Sequence, residues 1–196
     1  MNEWEKLQNG LMYDDFSDEL FQRRIEAKKL FRSYNKTDDD EVEIRQDILT
    51  KLFRNIGSNV WIEPDFRCEF GRNISIGNNV YINFGCIILD CAEVTIDNNT
   101  LLGPNIGIYA VNHAIDAEER GCLGKPVYIG SRVWIGGDVK IMAGVKIGDE
   151  SIIGAGSIVT KDIPSGVIAA GNPCKVIRPI TEKDKTNYLD SRRNTI

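Results

Sequence analysis

Residues 127–162 read VYIGSR, VWIGGD, VKIMAG, VKIGDE, SIIGAG and SIVTKD in groups of six, and Ile163 follows. The fourth position is glycine in four of the six groups. Because six consecutive groups keep one register, the stretch is a sequence repeat and not a bias of composition. The third position of every group is a branched aliphatic residue, namely Ile129, Ile135, Ile141, Ile147, Ile153 and Val159.

A period of six fits neither an α-helix, with apolar residues at spacings of three to four, nor a simple strand, with a spacing of two. It fits one side of a coil with a triangular cross-section, in which a short β segment forms the side. Glycine suits the corner, where a positive φ is often needed. Three sides make a coil of about 18 residues, stacked roughly 4.8 Å from the next. The repeat therefore predicts a parallel β-helix with the third positions on its axis.

Composition and charge argue against several classes of protein. The chain has 196 residues, and its 24 basic and 29 acidic side chains give a net charge of −5, so no broad basic surface favours nucleic acid. The five cysteines are scattered and odd in number, which argues against a disulfide framework. The N-terminus MNEWEKLQNG does not resemble a signal peptide, and no run approaches the ~18 apolar residues of a membrane span. We expect a cytoplasmic protein without a membrane partner.

The chain divides into three parts by pattern. Residues 1–55 are predicted to be a helical segment, 56–180 a β-helix domain, and 181–196 a short helix and tail. Residues 110–126, AVNHAIDAEERGCLGKP, break the repeat and are predicted to project as a loop, where function is often found. Apolar residues at helical spacing are expected on one face of the first long helix. They are Phe16, Leu20, Phe21, Ile25, Leu30, Phe31 and Tyr34.

Four segments resemble the galactoside and maltose O-acetyltransferases, which belong to the hexapeptide-repeat acyltransferases. They are YDDFSDEL at 13–20, IEPDFRCEFGRNISIGNNVYINFGCIILD at 62–90, NHAID at 112–116 and GAGSIVTKDIPSGVIAAGNPCKVI at 154–177. The resemblance implies a left-handed β-helix, acetyl-CoA as co-substrate and a sugar hydroxyl as acceptor. It also implies a homotrimer with active sites between subunits.

His113 is the only histidine of the chain and lies in the predicted loop. An imidazole can accept a proton near neutral pH, so it is a candidate general base, although a surface histidine without a function is an equal alternative from position alone. One histidine cannot supply a multi-histidine zinc site, so we expect no metal. The resemblance implies that His113 deprotonates the acceptor hydroxyl, which then attacks acetyl-CoA directly.

The resemblance also implies an acceptor site. Asn83 corresponds to an asparagine near the reacting centre, although a turn asparagine is the alternative. Asp15 corresponds to an acidic residue that contacts the sugar, or it is a helix cap. Glu69 takes the position of a short polar or acidic residue. Cys91 stands where the galactoside enzymes have an aspartate, which puts galactoside specificity in doubt.

For the cofactor, the resemblance implies contacts along the regular coils. Gly137 and Ala155 would border the pantetheine arm of acetyl-CoA, and Thr160 with Lys161 would approach its nucleotide end. Lys175 and Arg178 would meet its phosphates, because Lys and Arg suit phosphate groups. A solvated basic edge is the alternative for these residues.

Rival functions remain open. A cysteine could form an acyl-enzyme, but Cys86 and Cys91 fall in a β stretch, and Cys122 has no second histidine to activate it. The acceptor could be an antibiotic alcohol, a lipo-oligosaccharide or an amine. A non-catalytic β-helix module is the alternative from another class of protein, although His113, Asn83 and Lys161 are all present.

Overall fold

Three helices precede the coil in the computed structural model, which describes residues 1–186. They are α1 (Glu3–Gln8), α2 (Asp18–Tyr34) and α3 (Val42–Leu52). Asn2 caps α1, because its side chain accepts a hydrogen bond from the amide of Glu5 at 2.7 Å, and the Glu5 carboxylate accepts one in return from the amide of Asn2. The predicted tail lies largely outside the described residues.

Helix α2 packs against the coil through a narrow stripe of side chains. Leu20, Phe31 and Tyr34 are buried on it, as predicted from the helical spacing. The prediction was wrong for Phe16, which lies before the helix and is 90% exposed, and for Phe21, which is 54% exposed. Phe21 is about 100° around the helix from Leu20, so a single stripe cannot bury both.

Two side chains tie the helices to the coil. The buried Arg45 of α3 donates hydrogen bonds to the Tyr34 hydroxyl at 2.9 Å and to the carbonyl of Ile62 at 2.7 Å. Asn35, just after α2, donates to the carbonyl of Phe66 at 2.8 Å and accepts from its amide at 3.0 Å. Because these bonds hold buried backbone groups, they fix α2 and α3 over the first coils.

The rest of the described chain is mostly β-structure in short strands. In chain order they are β1 (Asn55–Ile56), β2 (Trp61–Ile62), β3 (Arg67–Cys68), β4 (Ile74–Ile76), β5 (Tyr81–Ile82), β6 (Ile87–Leu89), β7 (Val94–Ile96), β8 (Leu101–Leu102), β9 (Gly107–Tyr109), β10 (Val111–His113), β11 (Cys122–Gly124), β12 (Val127–Ile129), β13 (Trp134–Ile135), β14 (Lys140–Ile141), β15 (Lys146–Ile147), β16 (Ile152–Ile153), β17 (Ile158–Val159), β18 (Val167–Ala170) and β19 (Lys175–Pro179). A 3₁₀ helix, Glu182–Asp184, follows β19 and is capped by Thr181.

Successive strands fall on three parallel sheets in turn, as a triangular coil requires. The first sheet has the order β1-β4-β7-β12-β15, and the third has β17-β14-β9-β6-β3. The second has β18-β16-β13-β8-β5-β2, and β19 pairs antiparallel at its end. The third-position residues of the hexads lie on the axis, and each is at most 1% exposed. The predicted β-helix and its inward-facing residues are therefore confirmed.

The two corners of the third sheet differ in their residues. At the corner after the second sheet, which we call the glycine corner, successive coils place Glu63, Asn83, Gly103, Gly136 and Gly154 in line through backbone hydrogen bonds. The corner after the third sheet, which we call the hairpin corner, carries the antiparallel hairpin β10–β11.

Coil length also differs along the axis. Tyr128 pairs with Lys146, so the regular coils have 18 residues, whereas Ser75 pairs with Thr95, so an early coil has 20. The extra residues fall at the hairpin corner, because the steps from Ser75 to Tyr81 and from Tyr81 to Ile87 keep the spacing of six. The extra residues of the early coils thus widen the corner that carries the hairpin.

Candidate active site

The acceptor residues predicted from the sequence, apart from Asn83, come together at the hairpin corner. Glu69 follows β3, Cys91 follows β6 and His113 ends β10. Asp15 reaches the same corner from the segment before α2. That segment is anchored to the hairpin because the amide of Tyr13 donates to the carbonyl of Cys122 at 3.2 Å.

A cleft of about 510 Å³ separates this segment from the hairpin. Its size is in the range of sites for small ligands. His113 and Asp15 both face it, whereas Cys91 does not line it. The full lining is Met12, Tyr13, Asp14, Asp15, Phe16, His113, Glu119, Arg120, Gly121 and Cys122.

One ring nitrogen of His113 is already engaged. Its Nδ1 lies 3.3 Å from the backbone carbonyl of Arg120 and 3.5 Å from the Cys122 Sγ. A carbonyl only accepts, so this contact favours the tautomer of the neutral imidazole that carries its proton on Nδ1. In that tautomer Nε2 is the nitrogen that can accept a proton.

Arg24 links two of the predicted acceptor residues, and the sequence pattern gave no sign of it. Its guanidinium forms ion pairs with the carboxylates of both Asp15 and Glu69 and also donates to the Asp15 carbonyl at 2.6 Å. It lies over the ring of Phe70, 5.1 Å from the centroid. Since guanidinium stays charged and holds carboxylates in a fixed geometry, Arg24 orients both side chains.

Asp90 shapes the wide turn that carries Glu69. Its side chain is fully buried and accepts hydrogen bonds from the amides of Glu69 at 3.0 Å, Phe70 at 2.8 Å and Asn73 at 3.2 Å. Burial raises the pKa of Asp90 to about 6, although its hydrogen bonds with backbone amides act in the opposite direction. This residue too was missed, because its partners become neighbours only through the coil.

Cys91 is buried and packs with Tyr13 and Cys122. Burial raises the pKa of both thiols and that of the Tyr13 hydroxyl. The Tyr13 hydroxyl has no hydrogen-bond partner among residues 1–186. Neutral thiols thus occupy this part of the corner. By the resemblance stated above, the galactoside enzymes have a charged aspartate at the position of Cys91.

Asn83 lies elsewhere, at the glycine corner, across the third sheet from His113. Gly137 and Ala155 share that corner with Asn83, in coils further along the axis. The coils stack closely here, since a Cβ on Gly136 would lie 2.6 Å from the amide nitrogen of Ala155. Within one chain the structure therefore does not bring Asn83 and His113 together.

The remaining cofactor candidates are also divided. Thr160 and Lys161 are exposed and follow β17, at the hairpin corner. Lys175 and Arg178 lie on β19, where Arg178 pairs with the carboxylate of Asp184 at 2.7 and 2.8 Å.

Across residues 1–186 there is no group of three or more His, Cys, Asp or Glu side chains that could hold a metal ion. Over the same range, no helix is long and apolar enough to cross a membrane.

Two stretches match known protein families. Residues 6–57 match the maltose acetyltransferase hexapeptide capping motif, and residues 126–161 match the bacterial transferase hexapeptide with its six repeats. The chain is 42% identical to galactoside O-acetyltransferase from Escherichia coli K12 over 188 residues, which are 94% of this chain and 93% of the relative.

Solved structures agree with these matches. A maltose O-acetyltransferase from Clostridium difficile 630 superposes with a TM-score of 0.90 at 46% identity, covering 93% of this chain and 99% of that chain. A galactoside acetyltransferase in complex with coenzyme A superposes with a TM-score of 0.91 at 42% identity, covering 96% of each chain.

These matches and the coil define a hexapeptide-repeat acyltransferase. Because similarity extends over nearly the whole chain, the chain belongs within this class to the family of the galactoside and maltose O-acetyltransferases. The predicted family, fold class and enzyme class are confirmed, and the left-handed sense of the coil follows from this membership.

Proposed function

We propose that this enzyme transfers the acetyl group of acetyl-CoA directly to a hydroxyl of a sugar or sugar-like acceptor, with His113 as the general base. Acetyl-CoA as the co-substrate follows from the family, in which a solved relative holds coenzyme A. The observation that carries the role of His113 is its position in the cleft, with Nδ1 against the Arg120 carbonyl and Nε2 free. A cytoplasmic location stays a prediction.

In the proposed reaction, Nε2 of His113 removes the proton of the acceptor hydroxyl as its oxygen attacks the thioester carbonyl. The tetrahedral intermediate then collapses, the carbon–sulfur bond breaks, and the imidazolium returns the proton to the departing thiolate of coenzyme A. The Arg120 carbonyl favours the imidazolium, because it accepts from Nδ1–H throughout. The Asn83 amide serves as a donor to the developing oxyanion or to the acceptor.

Asp15 and Glu69 are proposed to bind other hydroxyls of the acceptor. Carboxylates accept hydrogen bonds from sugar hydroxyls, and Arg24 holds both of them in place. Cys91 lies buried behind Tyr13 and Cys122, which line the cleft, and in this proposal it makes no hydrogen bond to the acceptor. The acceptor therefore need not be a galactoside.

A homotrimer with shared sites is proposed because the two halves of the machinery lie at different corners of one chain. Asn83 and Gly137 occupy the glycine corner, whereas His113 and Lys161 occupy the hairpin corner. Apposing the hairpin corner of one subunit with the glycine corner of the next would complete a site. In a trimer with threefold rotational symmetry, each subunit would then present its hairpin corner to one neighbour and its glycine corner to the other.

The outer face of the second sheet supports such an interface. Its outward residues form a continuous register from coil to coil, and most of them are apolar. Trp134 and Leu101 are about half exposed, at 54% and 49%. The outward residues of the first sheet are polar by comparison, for example Ser75 and Thr95. The apolar register consists of Trp61, Tyr81, Leu101, Trp134, Ile152 and Ile168.

Along the glycine corner, Gly137 and Ala155 are proposed to let the pantetheine arm of acetyl-CoA lie close to the backbone. Thr160, Lys161 and Lys175 are proposed to meet the nucleotide end. To bind a phosphate, Arg178 would have to break its ion pair with Asp184, because both of its terminal guanidinium nitrogens donate to that carboxylate.

A release assay tests the proposed function. Acetyl-CoA is incubated with the enzyme and with neutral sugars, phosphorylated sugars, alcohols or amines, and the free thiol of coenzyme A is measured. We expect acceptor-dependent thiol release and an O-acetylated product for at least one sugar. Release with amines alone would favour the alternative acceptor class, and no release with any acceptor would contradict the proposal.

A further inference from the structure

A second groove, of about 550 Å³, lies between α2 and the third sheet, and we call it the α2 groove. Its apolar lining includes Phe31, which is buried, and Leu89, which is half-buried. Its cationic lining, Lys28, Arg32 and Lys36, is exposed. The groove therefore has an apolar floor and a cationic rim, and its size suits a small ligand.

Both ends of the α2 groove are fixed. At one end, Asn35 exchanges two hydrogen bonds with the backbone of Phe66. At the other end, Arg24 joins α2 to Glu69 and Asp15. A ligand would therefore meet a preformed groove, which lowers the ordering cost of binding.

The charge of the groove is positive although the whole chain carries −5. Lys28, Arg32 and Lys36 form no side-chain hydrogen bond or ion pair with any described residue. The two acidic lining residues are already partnered, since Glu69 pairs with Arg24 and Asp65 lies 3.6 Å from Arg67. Unpaired cations at the rim of an apolar groove favour an anionic ligand.

The α2 groove adjoins the His113 cleft through a shared group. Glu69 lines the groove, Asp15 lines the cleft, and Arg24 binds both. Along the helix, Lys28 lies about 6 Å and Arg32 about 12 Å beyond Arg24. A molecule longer than one sugar ring could thus reach from His113 into the groove.

We propose that the α2 groove is a subsite for an anionic substituent of the acceptor, so that the preferred acceptor is a saccharide bearing a phosphate or carboxylate one ring away from the acetylated hydroxyl. This inference rests on the proposed function. The apolar floor would support the face of the second ring, and Lys28 with Arg32 would bind the anion.

Matched acceptor pairs test the subsite. The value of kcat/KM is measured by thiol release for maltose against maltose 1-phosphate, and for lactose against galactosyl-β-1,4-glucuronate, which keeps both rings; the two pairs separate phosphate from carboxylate. We expect the wild type to prefer at least one anionic member by about 10-fold or more. The double variant Lys28→Gln, Arg32→Gln should lose that preference. Lys29→Gln, a neighbouring exposed cation outside the groove lining, should retain it.

Every other result of this experiment would contradict the proposed subsite. Equal kcat/KM within both pairs, or a preference that survives the double variant, would refute it and leave the acetyltransferase activity standing. An increase in the KM for acetyl-CoA in the double variant would assign the groove to the phosphates of coenzyme A. A change in the oligomeric mass of the double variant would indicate that the α2 groove binds a neighbouring subunit. No thiol release with any acceptor would refute the proposed function itself.

Discussion

The proposed role of His113 depends on the contact of its Nδ1 with a backbone carbonyl. Because the Arg120 carbonyl favours the tautomer with the proton on Nδ1, we propose Nε2 as the base. Replacing His113 with Ala should lower kcat by about 10²–10⁴, while the affinity for acetyl-CoA, measured by calorimetry, stays nearly unchanged. Turnover within a few-fold of the wild type would rule out this role.

Cys122 lies 3.5 Å from the same imidazole, which makes it the strongest cysteine candidate for an acyl-enzyme. Burial raises its thiol pKa, however, so the thiolate needed for attack is disfavoured. We expect Cys122→Ala to retain kcat within a few-fold, and we expect no gain of one acetyl group in the protein mass after incubation with acetyl-CoA alone. A cysteine adduct that passes its acetyl group to the acceptor would overturn direct transfer.

Asp90 should make stability depend on pH. Its pKa is raised by burial to about 6 from an ordinary value of 3.8, so its contribution is fully present below about pH 4 and is lost as the pH rises through 6. Relative to Asp90→Asn, the unfolding free energy of the wild type should therefore fall by about 3 kcal/mol over this range. Denaturant unfolding at constant protein concentration measures this difference, and parallel pH profiles would contradict the assignment.

Asparagines with left-handed backbone form the corner between the first and second sheets in the early coils. Asn79 has φ of 56°, accepts from Asn59 and donates to Asn99, each at 3.0 Å. These side chains are largely exposed, so the bonds contribute little and the backbone conformation dominates. Asn79→Ala should destabilise the protein by about 1–2 kcal/mol. Asn79→Gly should be nearly neutral in urea unfolding, and equal losses for both would show that the side-chain bonds dominate instead.

The secondary-structure elements were predicted correctly where their sequence pattern is local. Each hexad carries its own signal, so Ile135 and Ile141 could be placed on the axis from sequence alone. The stripe of α2 was predicted less well, because apolar character did not distinguish the buried Phe31 from the exposed Phe21.

The residues of the site were likewise predicted only where the sequence carries a local signal. A lone histidine in an irregular loop stands out in the sequence, whereas Arg24 belongs to an ordinary polar helix. Its role, like that of Asp90, depends on partners that meet it only in the folded coil: Glu69 is 45 residues from Arg24 in the chain. The α2 groove was missed for the same reason, since Lys28 of α2 and Leu89 of the third sheet line one groove only in the folded chain.

At the scale of the whole molecule, the proposed active site is completed by a second subunit. His113 and Asn83 lie at opposite corners of the third sheet, and Trp134 and Leu101 of the second sheet remain about half exposed in the described chain. An isolated chain should therefore hold two incomplete half-sites and be inactive. We expect a trimer by sedimentation, whereas a monomer near 22.0 kDa at working concentration would contradict this.

Subunit complementation tests the shared site most directly. His113→Ala and Asn83→Ala chains, each nearly inactive alone, are mixed in equal amounts, allowed to exchange, and checked for mixed trimers by mass. If each site takes His113 from one subunit and Asn83 from the next, about a quarter of the interfaces are intact, and about a quarter of the wild-type thiol release should return. Confirmed mixed trimers that recover no activity would contradict the account.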